Sequence, residues 1–226
     1  MIQRKQPQTT PLSDDSGFTI VESLMAIVVV SILLAAIAPV LIMSTSTRVQ
    51  ARRVELATRV AKTFIDGVKT GSITAPTKTI TLEAPTTAKP RTLADNLVDT
   101  TKMPVPTKDD TDLYCFKNNT ISVTSTTNCQ ENNFDQFYIQ AAQIKVKDSS
   151  SDDGYRLAIR VYRSDIDFSK SLLASTSTST KQKTFTGGLG SKQAPLVEMT
   201  TDINNVSTTF QALCQRFGPA SGKTCQ

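Results

Sequence analysis

The sequence of 226 residues contains no histidine. That absence removes His general bases, His-dependent triads and His-rich zinc sites at once, and with them much of the usual enzyme repertoire. Tryptophan is missing too, and aromatic residues make up only 6% of the chain. A single-strand nucleic-acid binder interleaves aromatic platforms with basic residues. Here the Lys and Arg behind the formal charge of +5 are spread without such interleaving, so no nucleic-acid partner is expected. No C-x-x-C spacing occurs among the four cysteines, which argues against a thiolate metal site. The stretch "GGLG" at 187–190 does not follow a strand and open a helix as a phosphate loop does, and no cofactor is expected. The scattered carboxylates bring together no acid and base pair, so an enzyme is not expected. What remains, 38% hydrophobic residues with abundant Thr and Ser, suits one modest domain with appendages.

Charge is also missing locally. No residue from Ser23 to Thr47 is ionisable, and at about 1.5 Å per residue this run exceeds a hydrocarbon core of roughly 30 Å. It predicts a membrane-spanning helix. The competing reading is a cleaved secretory signal, for which "AIA" at 36–38 offers a small-residue site. However, the run is longer than the core of such a signal, and the residues before it carry Asp14 and Asp15 as well as Arg4 and Lys5. Pro39 inside the run deprives the Ala35 carbonyl of its helical partner, so a kink or loosening is expected near Ala35. Membrane helices tolerate this better than soluble ones.

Glu22 lies just before the apolar run and admits two readings. Thr19-Ile20-Val21-Glu22 has the spacing of a capping box, in which the glutamate satisfies a backbone donor at the helix start. Alternatively, a cut after Gly17 would leave Phe18 as a new N-terminus, its positive amine one helical turn before Glu22. In a bundle of such helices the amine of one chain would pair with the carboxylate of the next. An unpaired carboxylate there would cost several kcal/mol.

The stretch "GFTIVESL" from Gly17 resembles the type IV prepilin signature. The resemblance implies cleavage after Gly17, N-methylation of Phe18, and an assembly role for Glu22, the fifth residue of the processed chain. Pro39 matches a proline common in pilin helices. The leader of seventeen residues is longer than the short leaders of many type IVa pilins. A narrower resemblance, carried by "STSTRVQARRVEL" and "ATRVAKTFIDGVKTGSI", is to the cyanobacterial hormogonium polysaccharide secretion pseudopilins, particularly the B-type, over residues 16–75. It implies a minor subunit of a type IV pilus-like machine that supports polysaccharide export and surface gliding.

Orientation presents a conflict. Arg48, Arg52 and Arg53, with Arg59 and Lys62 beyond, would place the C-terminal side in the cytoplasm by the count of positive residues. The pilin resemblance implies the reverse: leader inside, C-terminal domain outside. An even number of cysteines suits an oxidising compartment. Of the three possible pairings, Cys115 with Cys129 and Cys214 with Cys225 close the shortest loops; four buried thiols are the alternative.

Beyond the span, Val54, Ala57, Ala61, Phe64, Ile65 and Val68 recur at helical steps, while Arg48, Arg52, Glu55, Arg59, Lys62, Asp66 and Lys69 collect on another face. Glu55 with Arg59 and Lys62 with Asp66 are spaced as ion pairs on a solvated face; contact with a neighbouring subunit is the alternative. Gly67 and Gly71 weaken and end this helix. The expected organisation is a leader over 1–17, the spanning half of the helix over 18–43, its amphipathic half over 44–70, a Thr/Pro-rich connection over 71–112 containing an edge strand in "TKTITLEA", and a β-rich domain over 113–226. The clearest hairpin joins "FYIQAAQIKVK" to "GYRLAIRVYR". Tyr138, Ala142, Ile144 and Val146 share one face of the first strand, and Tyr155, Leu157, Ile159 and Val161 one face of the second, with Arg156 and Arg160 pointing away. This predicts an antiparallel sheet covered on one face by the amphipathic helix. "DSSSDDG" reads as a turn whose acids lack calcium-loop spacing, Asn118-Asn119-Thr120 and Asn205-Val206-Ser207 as chance sequons, "APLVEMTTDI" as a further strand, and the C-terminus as a short helix with a disulfide loop. The expected fold class is α+β, in the pilin-like arrangement that the resemblance implies.

The leading function is structural: a minor pilin or pseudopilin of the inner membrane, processed by prepilin peptidase and drawn by the assembly platform into a filament with other pilins, with the exported polysaccharide as a further partner. The alternative is a single-pass anchored domain that binds a glycan or protein outside the cell.

Overall fold

The computed structural model describes residues 17–91, 102–108, 110–123, 129, 135–174 and 190–218. The chain divides into two compact units, Met1–Ser44 and Thr45–Gln226. Helix α1 runs from Ile20 to Thr70 and continues through Pro39. In the first unit every described residue is exposed, including Ile20, Leu24, Ile32, Leu34 and Ile42. This segment is long and apolar enough to cross a membrane. The helix stops at Gly71, which adopts φ +74°, while the amides of Gly71 and Ile73 turn back to the carbonyls of Val68 and Gly67.

In the second unit the C-terminal half of α1 buries Ala57, Val60, Ala61, Phe64, Ile65 and Val68. They pack on Ile139, Ala141, Leu157, Ile159 and Val161 of a β-sheet, where removing apolar surface from water is the main stabilising term. The opposite stripe, Arg48, Arg52, Glu55, Arg59, Lys62, Asp66 and Lys69, is exposed. Glu55 and Arg59 approach to 3.9 Å. At that exposure the pair adds little stability. Gln50 and Arg53 are buried instead, and burial, with the nearby Arg163 charge, pulls the Arg53 guanidinium below its usual range.

The strands are β1 (Thr79–Leu82), β2 (Leu113–Lys117), β3 (Thr120–Val123), β4 (Phe137–Val146), β5 (Tyr155–Arg163) and β6 (Val197–Ile203). Their order is β3-β2-β4-β5-β6, all antiparallel, and β1 lies parallel to β4. β2 pairs with Phe137–Gln140 and β1 with Gln143–Val146, so the two share one edge of β4. A short helix, α2 (Phe210–Phe217), follows β6 and starts at Thr209, whose side chain accepts from the Ala212 amide.

The hairpin between β4 and β5 is as expected, but its faces are not. Ile139 stands opposite Val161, and Ala141 opposite Ile159, on the side of α1. Tyr138, Ala142 and Ile144 stand opposite Tyr162, Ala158 and Arg156 on the other side. The two apolar sets expected to share a face therefore lie on opposite faces. Both faces of the sheet are covered, so β4 is buried along nearly its whole length and its alternation carries little information. On the second face Ile80, Leu82 and Met103 pack on Ala142, Ile144 and Ala158, while Cys115, Cys129, Ile166 and Leu172 pack around Tyr138 and Tyr162.

Asn118 and Asn119 adopt φ 50° and 59° between β2 and β3, the left-handed pair that a two-residue hairpin turn requires and asparagine tolerates. This turn was not foreseen, although the Asn-Asn pair was its signal. In "DSSSDDG", Ser150 and Asp153 form a reciprocal cap on a single 3-10 turn: the Ser150 amide donates to Asp153 Oδ2 at 2.7 Å.

Candidate assembly and processing site

Among the described residues the start of the first unit is exposed. Nothing lies within 4 Å of the place a Cβ on Gly17 would occupy, and Phe18 is 80% exposed. Thr19 caps α1: its Oγ1 accepts from the Glu22 amide at 3.3 Å, and its carbonyl accepts from the Ser23 amide at 3.1 Å. The reciprocal half of a capping box would require the Glu22 carboxylate to accept from the Thr19 amide. Among the described residues that carboxylate makes no hydrogen bond or ion pair. Thr19 alone therefore does the capping, and Glu22 is an exposed anion in the first turn of a helix that carries no other charge before Arg48. The positive end of the helix dipole favours that charge, by about 0.3–1 kcal/mol at an exposed site.

The cysteines divide. Cys115 on β2 and Cys129 form a disulfide with their Cα atoms 5.6 Å apart. Cys225, the expected partner of Cys214, lies outside the described residues, as do residues 1–16 of the leader and residues 175–189.

The second face of the sheet holds ionic groups where solvated arginines were expected. The Arg160 side chain is fully buried and donates to Glu198 Oε1 at 3.0 Å, to Gln140 Oε1 at 3.2 Å and to the Met103 carbonyl. Gln140 in turn donates to the Pro104 carbonyl at 2.7 Å, so the segment around Met103 is tied across the strands. Arg156 donates twice to Asp202 Oδ2, at 3.0 and 3.3 Å, with its guanidinium 4.8 Å from the centre of the Phe217 ring. Arg216 on α2 approaches Asp202 at 3.6 Å and donates to Asn204 Oδ1 at 2.8 Å. Burial pulls its guanidinium down, against the opposing pull of Asp202. The signal was present in the sequence: arginines four apart on β5 face acids four apart on β6 in antiparallel register. No cluster of three or more His, Cys, Asp or Glu able to hold a metal ion occurs among the described residues. A cleft of about 480 Å³ lies between α1 and the β2–β3 hairpin, lined by Leu56, Arg59, Phe116, Asn119 and Asp135 among others.

Residues 12–38 match the family model described as the prokaryotic N-terminal methylation motif. The matched segment contains Gly17, Phe18, Glu22 and most of the apolar run, and it supports a type IV pilin-like chain. The motif implies processing by prepilin peptidase, anchoring in a membrane and assembly with other pilins. A long N-terminal apolar helix followed by an antiparallel sheet is the α+β arrangement of pilins. No curated protein and no solved structure matches the chain.

Proposed function

We propose that the chain is a minor pilin or pseudopilin subunit, cut by prepilin peptidase after Gly17 and N-methylated on Phe18. The span over 18–43 holds it in the inner membrane with the leader in the cytoplasm and the β-rich domain outside, and the assembly platform then draws it into a filament with other pilins. The observation that carries this reading is the Glu22 carboxylate, which the helix start displays but does not use. After cleavage the amine of a neighbour's Phe18 supplies the missing counter-charge, and in an apolar bundle that pairing sets the register of one helix against the next. Pro39 belongs to the same assembly segment, since it allows the helix to bend locally where neighbours pack. The resemblance over residues 16–75 is what supports reading the subunit as part of a machine that exports polysaccharide and supports gliding.

The test is Glu22→Gln. Thr19 still caps the helix and insertion becomes slightly easier, because a carboxylate near the hydrocarbon is costly. The neighbouring amine loses its partner, a loss of about 3–5 kcal/mol where the pair is buried. Normal membrane level and leader cleavage, with lost crosslinking to partner pilins and lost polysaccharide export, is the expected result. Wild-type crosslinking and export at matched expression would refute the assembly role. Intact mass of the native protein tests processing: the chain begins at N-methyl-Phe18, and a bulky residue at Gly17 leaves the leader attached.

A further inference from the structure

Polarity changes in steps where the apolar half of α1 ends. The run from Leu24 to Met43 gives way to four hydroxyl residues, Ser44, Thr45, Ser46 and Thr47, and then to Arg48, Arg52 and Arg53. No acid occurs between Glu22 and Glu55. Arg53 turns inward and is buried on the domain, whereas Arg48 and Arg52, one helical turn apart on the same face, are exposed. By the rule that positive residues stay in the cytoplasm, these charges are on the wrong side of a span whose C-terminal domain lies outside.

We infer that Arg48 and Arg52 form a collar that binds the anionic headgroups of the outer-facing leaflet. The inference rests on the membrane span proposed over 18–43. Arg48 follows Met43 by five residues, about 7.5 Å along a helix. Each headgroup layer is roughly 5–7 Å deep, so Arg48 comes to the level of the lipid phosphates and the hydroxyl run to the glycerol region. Arg52 is one turn farther out, but Cα–Cβ bonds in an α-helix tilt toward its N-terminus, which here is the membrane side. Its long side chain leans back toward the same layer. Guanidinium is also the group suited to this role. Its planar fork donates two parallel hydrogen bonds to one phosphate, and every cation between Ser44 and Val54 is an arginine. The collar holds an unassembled subunit at a fixed height, with Glu22 at the opposite end of the proposed span.

The experiment reconstitutes the full mature chain in phosphatidylcholine vesicles containing phosphatidylglycerol, each lipid supplied in a photoactivatable form, and maps crosslinks by mass spectrometry. Preferential phosphatidylglycerol crosslinks at residues 44–52 are expected. The preference falls about fivefold for each of Arg48→Gln and Arg52→Gln, survives Arg48→Lys with Arg52→Lys in part, and is unaffected by Arg59→Gln. It also weakens in about 1 M salt. Carbonate extraction of the same membranes separates the two ways of failing. A chain that stays in the membrane but labels both lipids equally, or keeps its preference in the double Gln variant, overturns the collar alone. A chain released by carbonate overturns the span and the collar together.

Discussion

Arg160 and Glu198 meet at 3.0 Å across β5 and β6 with side-chain exposures of 0% and 5%. In such surroundings desolvation costs each ion several kcal/mol, and the pair is tolerated because its remaining donors are also used. Glu198→Ala leaves a buried cation and is expected to cost about 3–5 kcal/mol in urea unfolding of the detergent-solubilised chain. The double variant Arg160→Met with Glu198→Leu should recover most of that loss, apart from the tie to Met103. A double variant no more stable than Glu198→Ala would show that the pair contributes more than mutual neutralisation.

The Cys115–Cys129 disulfide closes a loop of sequence separation 14 on the second face of the sheet. A loop of that size restricts the unfolded chain by about 3 kcal/mol. Replacing both cysteines by Ala should lower stability by that order, and non-reducing peptide maps of the native protein should contain the 115–129 link. Free thiols at both positions in protein taken from the cell envelope would contradict this.

Gly154 and Gly71 separate two costs of adding a methyl group. Both have positive φ, +72° and +74°. Around Gly71 the space is open, while a Cβ on Gly154 would stand 2.4 Å from the Ile203 carbonyl oxygen. Gly71→Ala should therefore cost only the conformational penalty, about 1 kcal/mol. Gly154→Ala should cost more, because the turn and the end of β6 must also move apart. Equal melting temperatures for the two variants would refute the steric part.

Burial raises the phenols of Tyr114 and Tyr162, Tyr114 with the added effect of the Asp112 charge. An unfolded tyrosine loses its proton near pH 10, where the folded protein still keeps these two. Above that pH the unfolded state binds fewer protons, so stability falls as pH rises; below it the contribution is fully present. Urea titrations at increasing alkaline pH should show that decline, and Tyr162→Phe should make it shallower while Tyr114 still contributes. The same variant should lose about 1 kcal/mol at neutral pH, since the Tyr162 hydroxyl donates to the Leu173 carbonyl at 3.0 Å.

The parts legible in the sequence were those with a local cause. The apolar run, the Thr19 cap, the helical stripe from Ala57 to Val68 and the glycine stop at Gly71 each depend on residues within a few turns of one another. The N-terminal motif is of the same kind, since recognition of Gly17, Phe18 and Glu22 requires only their spacing. The alternation in β5 located its strand for the same reason, and the tyrosine and arginine positions along it were read on the correct sides of that strand taken alone.

Only tertiary structure decided how those sides were used. A period of two states which residues share a face of one strand, but the register between strands and the number of covered faces depend on contacts far apart in sequence. Hence Tyr138 and Ile159 came to lie on opposite faces, and Arg160 became a buried ion instead of a solvated one, because Glu198 and the Met103 carbonyl satisfy it from distant segments. The free carboxylate of Glu22 is the complementary case. Its spacing from Thr19 permits a capping box, yet among the described residues Thr19 alone serves the helix end and the carboxylate makes no hydrogen bond or ion pair.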